Sequence, residues 1–254
     1  MAGKMNSSFV VGSLMLLLCA SAENISAFAA TNSVLDIGIG ADESDAHTHL
    51  IFEGIPKDAR IVSVSTHLIV EQAATNGLNF FAVQVNFPNQ TWAHGGLQLD
   101  SGVEKANWGG LVSRGGGSKD YKEVNWTNDL RLIECGVEKP NTVPWKWERN
   151  REYIITVERG KQLHLPVGTN EQFKVAVPAR TMWEWKLTIQ PVGRGQETFT
   201  SLLYESADHI SSFYLWNEAG YGSTSMEQHA TWSLPVYRIE GSTEDKIPMG
   251  WKRF

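Results

Sequence analysis

Apolar residues recur at every second position through most of this chain, while the three-and-four spacing of an amphipathic helix is nearly absent. In Val62-Ser63-Val64-Ser65-Thr66-His67-Leu68-Ile69-Val70 the even positions are chiefly apolar and the odd ones mixed. Phe81, Val83, Val85 and Phe87 share one face of the next segment, with Gln84 and Asn86 on the other. Tyr153, Ile155 and Val157 repeat the pattern, and Arg159-Gly160 predicts a hairpin turn into Lys161–Leu165. Phe173, Val175 and Val177 form another strand, stopped by Pro178. Trp183, Trp185, Leu187 and Ile189 alternate in phase, which places both indoles in the core. Further strands are expected over 198–204, 211–218 and 230–239. Short strands separated by Gly, Pro, Asn and Asp clusters imply an all-β, antiparallel two-sheet sandwich. The stretch Asp100–Pro144, rich in Gly, Asn and Lys, is expected to form long loops at one end.

The first thirty residues break this pattern. Lys4 precedes an apolar run from Phe9 to Ala20, and small residues follow at Ala20-Ser21-Ala22 and Ala27-Phe28-Ala29. This is the layout of a secretory signal peptide, with cleavage expected near Ala29-Ala30. The apolar run is too short to span a bilayer. The expected organisation is a signal peptide over 1–30 and a single sandwich domain over 31–254, secreted to the extracellular space. Cys19 falls in the removed segment, so Cys135 is left alone and cannot form an intramolecular disulfide.

At 42% hydrophobic and 20% charged residues, the chain has the apolar content for a sizeable core. A net charge of -6 argues against a nucleic-acid partner, which would require a basic face. Asn89-Gln90-Thr91 and Asn125-Trp126-Thr127 match the N-glycosylation acceptor pattern.

Two segments stand out as candidate sites. One runs through Trp92-Ala93-His94-Gly95-Gly96-Leu97-Gln98, Asn107-Trp108-Gly109-Gly110-Leu111 and Arg114-Gly115-Gly116-Gly117. Its glycines permit bulges or close approach of a ligand, beside indoles, an imidazole, an amide and a guanidinium. The plainer account is that the glycines shape turns while Trp92 and Trp108 cap the core. The other is Ser212-Phe213-Tyr214-Leu215-Trp216-Asn217-Glu218, where Tyr214, Trp216 and Glu218 share a face. If neighbouring polar faces line the same surface, His67, Gln84, Asn86, Glu184 and Lys186 join them, and Gln98 is a further candidate for binding. Such a surface suits sugars, whose C–H patches stack on aromatic rings and whose hydroxyls need donors and acceptors. The competing account buries Tyr214 and Trp216 under loops as a second small apolar cluster.

Metal and catalytic patterns are sparse. His47-x-His49 lacks a third clustered ligand, and no catalytic cofactor is expected. The acidic run Asp36, Asp42, Glu43 and Asp45 offers oxygen ligands for a structural Ca²⁺ without EF-hand spacing. A Gly-x-Ser-x-Gly elbow is missing, as is a phosphate-loop ending. For an enzyme, His94 is the candidate for proton transfer, Arg114 for holding an acidic group, and Tyr121 or Tyr221 for the partner acid.

Tyr153-Ile154-Ile155-Thr156-Val157-Glu158-Arg159-Gly160, followed by Phe213-Tyr214-Leu215-Trp216, resembles the rhythm of concanavalin-like and laminin-G-like jelly rolls. Phe80-Phe81-Ala82-Val83-Gln84 with the downstream Gly95-Gly96-Leu97-Gln98 resembles exported bacterial jelly-roll domains of unknown function. The resemblance implies a carbohydrate-facing sandwich. A lectin-like protein binding extracellular polysaccharide is the first expectation. A polysaccharide lyase or glycoside hydrolase on the same scaffold is the alternative, and a protein-binding or structural module of the cell surface is the second.

Overall fold

The computed structural model describes residues 34–39, 46–112, 114–117, 131–132, 142–165, 167–170, 175–177, 179–193, 197–220 and 228–254. The export signal expected over 1–30, Cys135 and the Asn125 sequon lie outside them, as do Asp42, Glu43, Asp45, Tyr121 and Tyr221. In chain order the strands are β1 (Val34–Ile39), β2 (Ala46–Glu53), β3 (Ile61–Gln72), β4 (Leu78–Asn86), β5 (Trp92–Asp100) and β6 (Val103–Val112). Next come β7 (Arg114–Gly117), β8 (Arg131–Leu132), β9 (Thr142–Pro144), β10 (Glu152–Leu165), β11 (Gly168–Asn170) and β12 (Val175–Val177). The last are β13 (Arg180–Pro191), β14 (Phe199–Glu205), β15 (Ser212–Gly220), β16 (Gln228–Ser233), β17 (Val236–Ile239) and β18 (Gly250–Arg253).

Two antiparallel sheets carry the fold. The first has the order β1-β16-β3-β10-β13-β14-β7, with β17 beside β16 along the same edge of β3. The second has the order β18-β2-β15-β4-β5-β6-β8, with β9 also on β6. β11 and β12 pair separately. Alternation drives the stacking, because each strand turns one set of side chains to the partner sheet. Leu68, Val70, Tyr153, Ile155, Val157, Trp185, Leu187 and Ile189 from the first sheet meet Phe81, Val83, Val85, Leu97, Trp108, Phe213 and Leu215 from the second in one core. Indole N–H groups cross the interface: Trp108 Nε1 donates to the Trp185 carbonyl at 3.0 Å, and Trp232 Nε1 to Asn217 Oδ1 at 3.0 Å. The all-β, two-sheet reading of the sequence is what the chain adopts.

Three local expectations are corrected. Arg159-Gly160 makes no hairpin. β10 runs straight through it against β13, with a register shift between Arg159 and Gln162. A bulge there absorbs the glycine, whose Cβ position is taken by the Glu184 carboxylate. Asp100–Pro144 is not loop throughout, since it contains the whole of β6, which pairs with β5 along its length. Glycine and asparagine mislead here because the strand is held by its neighbours, not by its own propensity. Trp183 is only partly buried: it packs against the core's margin while the Arg159 guanidinium lies 4.4 Å over its ring.

Candidate functional site

Residues directly opposite each other in antiparallel strands share a face, so the registers of β2, β15, β4, β5 and β6 define the second sheet's outer surface. One cross-strand row reads His47, Glu218, Phe80, Gln98, Lys105. The next reads His49, Trp216, Ala82, Gly96, Asn107, with Thr142 of β9 beyond. The third reads Ile51, Tyr214, Gln84, His94, Gly109. Ala82 and Gly96 thus sit side by side at the centre of the face, with aromatic and amide groups around them.

Rings close over this floor. His94 and Trp216 have centroids 4.8 Å apart, Phe80 and His94 5.0 Å, and Phe80 and Trp216 5.8 Å. His49 extends the group toward β2, 5.5 Å from Trp216 and 4.9 Å edge-on from Tyr214. Leu78, Phe80 and Ala82 form a buried cluster with Trp216 packed against it, so this outer face has a small apolar centre of its own. Trp216, Tyr214 and Glu218 are half-buried.

Polar groups are embedded among these rings. Gln98 and Asn107 are both 0% exposed. The Asn107 amide nitrogen donates to Thr142 Oγ1 at 2.6 Å, but its Oδ1 has no partner. Both amide atoms of Gln98 and the Trp216 Nε1 are likewise buried without a partner. Leaving such atoms unpaired costs about 1–3 kcal/mol each, and native interiors keep few of them. Gln84 is better served, its Nε2 donating to Asn86 Oδ1 at 3.0 Å. Burial raises the Tyr214 hydroxyl above its ordinary pKa, opposed by a bond to Gln84.

The sequence-predicted binding residues divide between two surfaces. Tyr214, Trp216, Glu218, Gln84 and Gln98 come together on the face described above. His67, Glu184 and Lys186 do not join them. They lie on the outer face of the first sheet, where His67 is opposite Ile154, Lys186 opposite Glu158 and Glu184 opposite Tyr204. There Lys186 Nζ is 2.5 Å from Glu158 and His67 Nδ1 is 2.5 Å from Glu152, pairings ordinary for a solvated face. Alternation tells which residues share a strand face but not which sheet a strand enters. Glu184 and Glu218 therefore cannot act as a carboxylate pair.

His94 is on the same face of the second sheet, yet its surroundings remove the property that singled it out. It is 5% exposed, and burial pushes its pKa down to about 3, too weak a base to take a proton at neutral pH. Arg114 lies in β7 at the edge of the first sheet, its backbone opposite Tyr204. The His47 and His49 rings lie tilted at 45° to each other with centroids 5.0 Å apart. Among the described residues, no three His, Cys, Asp or Glu side chains are grouped to hold a metal ion. Sequence reading missed Phe80 and His49 as members of this face, and it placed Asn107 and His94 in the glycine-rich segment, apart from Tyr214 and Trp216. Continuing the two-residue period through Asn107-Trp108-Gly109 would have placed Asn107 opposite the buried indole.

No protein-family model matches the chain, and no curated protein matches it. Among solved structures, it is similar to peanut lectin in a structure with a 9-residue peptide. That match has 10% identity, a TM-score of 0.28 and 84% of each chain covered. A likeness this remote assigns no residue a role. No helix among the described residues is long and apolar enough to cross a membrane.

Proposed function

We propose that this chain is an exported carbohydrate-binding protein whose ligand lies on the outer face of the second sheet, around His49, Tyr214 and Trp216. The observation that carries this reading is the grouping of these half-buried rings on one face, with His49 4.9 Å from Tyr214 and 5.5 Å from Trp216, and the half-buried Glu218 carboxylate in the adjoining row. Aromatic surface beside polar groups is what a polyhydroxylated ring with apolar C–H faces requires. Trp216 and Tyr214 supply the stacking surface, with Glu218 flanking as an acceptor. The N-terminal signal pattern supports export.

A glycan array probed with the mature protein tests the reading. Trp216→Ala should lower affinity for any glycan bound by about tenfold, on the scale of one aromatic contact. Tyr214→Ala should lower it likewise, with the far-ultraviolet circular dichroism unchanged. An array without a hit removes the carbohydrate reading.

A second reading, a protein-binding module of the cell surface, is favoured by the edge at β18 and β2. Ile51, Met249, Trp251 and Phe254 are all exposed there, between 41% and 85%. Capture of a cell-surface protein that is lost on Trp251→Ser, with no glycan bound, would support it instead.

A further inference from the structure

We infer that His47 and His49 form a two-imidazole site for a late first-row divalent cation, Cu²⁺ before Ni²⁺ or Zn²⁺, on the outer face of the second sheet. Alternate residues of a strand project to the same side, so a His-x-His pair within β2 puts both rings over one face. Their centroids lie 5.0 Å apart with the planes tilted at 45°. A cation about 2.0–2.1 Å from one nitrogen of each imidazole sets the centroids roughly 4.5–5.2 Å apart, for ligand angles between the square-planar and tetrahedral values. The ring separation is therefore already that of two imidazoles sharing an ion.

The other histidines are engaged differently. Of seven in the chain, His67, His209 and His229 each set Nδ1 against a carboxylate, and His164 sets Nδ1 against the Thr181 hydroxyl. His94 is buried. Among the described residues, His47 and His49 have ring contacts only. His47 is exposed, which lets an ion arrive and keep water in the positions the protein leaves open. His49 is half-buried and braced by Tyr214 at 4.9 Å and Trp216 at 5.5 Å. Burial and then the neighbouring His47 lower its pKa, so at neutral pH its ring is an unprotonated donor. The backbone between the two is fixed as well, since β2 pairs with β15 on one side and β18 on the other. Donors set in place this way lose little freedom on binding.

Imidazole nitrogen suits late first-row ions, whose affinities peak at Cu²⁺. Ca²⁺ and Mg²⁺ call for oxygen ligands and do not fit. Among the described residues no third His, Cys, Asp or Glu joins the pair, so water completes the shell. The site shares its face with Tyr214 and Trp216 but does not depend on a glycan binding there.

The test is titration of the protein with Cu²⁺ in a non-coordinating buffer, read by electron paramagnetic resonance. One ion per chain should bind, with the nitrogen splitting of two imidazoles. His47→Ala should weaken it roughly 100-fold, because a chelate becomes a single ligand. Its far-ultraviolet circular dichroism should stay unchanged, since His47 is exposed. His49→Gln should weaken binding likewise, while His67→Ala and His229→Ala should leave it as it is. Ni²⁺ should compete at higher concentration, whereas excess Ca²⁺ should not. Cu²⁺ affinity in His47→Ala within about tenfold of the wild type overturns the inference, because the ion is then held elsewhere, for instance by a terminal amine or Cys135. A signal with one nitrogen or none overturns it equally, as does displacement by Ca²⁺. An empty glycan array leaves these outcomes untouched, so the two readings fail separately.

Discussion

Asn89, in the turn between β4 and β5, donates its side-chain amide to the Glu205 carboxylate at the end of β14 in the opposite sheet, with Nδ2 2.8 Å from Oε1. Glu205 is 0% exposed, and the same oxygen also accepts from the Ser206 amide at 2.6 Å and the Ser206 hydroxyl at 2.8 Å. The Asn89 Oδ1 in turn accepts from Thr91 Oγ1 at 2.6 Å, holding a turn in which Gln90 takes a left-handed φ of 68°. The contact fastens the two sheets at one end. Asn89→Ala should lower unfolding free energy by about 2 kcal/mol, the scale of a bond to a buried charge. Urea titration measures it, and a loss below about 0.5 kcal/mol would mean that the Ser206 contacts suffice for Glu205.

Acid should destabilise the fold through His94. Its pKa is about 3 when folded and 6.5 in the reference state, the cause being burial. Between those values the unfolded chain carries a proton that the folded chain refuses. Each pH unit lost there therefore removes about 1.4 kcal/mol, with no effect above the upper value and no further loss below the lower one. His49, lowered by burial and then by His47, slopes the same way. His94→Gln, neutral at every pH, should overtake the wild type in relative stability as urea titrations move from neutral toward acid. A difference that stays constant with pH would show that the imidazole protonates in place.

The centre of the face should not tolerate a single added methyl. A Cβ on Gly96 would overlap the carbonyl oxygen of Phe81 and come within 2.9 Å of the Ala82 Cα, both in the backbone of β4. Gly96→Ala should cost about 3 kcal/mol or more, since the strands must part. Gly250→Ala is the control, because its Cβ would meet nothing nearer than 3.7 Å. Thermal unfolding of the two variants should differ widely, and equal midpoints would refute the close approach of β5 to β4.

Gln98→Leu should behave unlike an ordinary core substitution. It removes two buried polar atoms that have no partners, so the protein should gain about 1 kcal/mol. Destabilisation would mean instead that ordered water already satisfies the amide.

The sandwich was legible because its strands alternate. The even positions of β3 and the odd ones of β4, β10 and β13 that read as apolar include Val64, Leu68, Val83, Ile155 and Leu187, all 0% exposed. The grouping of residues on the second sheet's outer face was legible in part. Tyr214, Trp216 and Glu218 were found from one strand, and Gln84 and Gln98 from its neighbours. His67, Glu184 and Lys186 carry the same local pattern in the other sheet, because strand order depends on pairings between residues far apart in sequence. Asn107 was singled out in the glycine-rich segment, but its place in the Trp216 row was not legible, for a different reason. Its strand is rich in glycine and polar residues, and neighbouring β5 holds it extended.

β15 turns Phe213, Leu215 and Asn217 inward and Tyr214, Trp216 and Glu218 outward, with Asn217 tied to Trp232 in the other sheet. Shifting that strand by one residue would exchange the two sets completely. Substitutions at Tyr214 or Trp216 therefore alter the outer face and leave the core side of the strand as it is. An insertion or deletion of a single codon within β15 would cost core and site together.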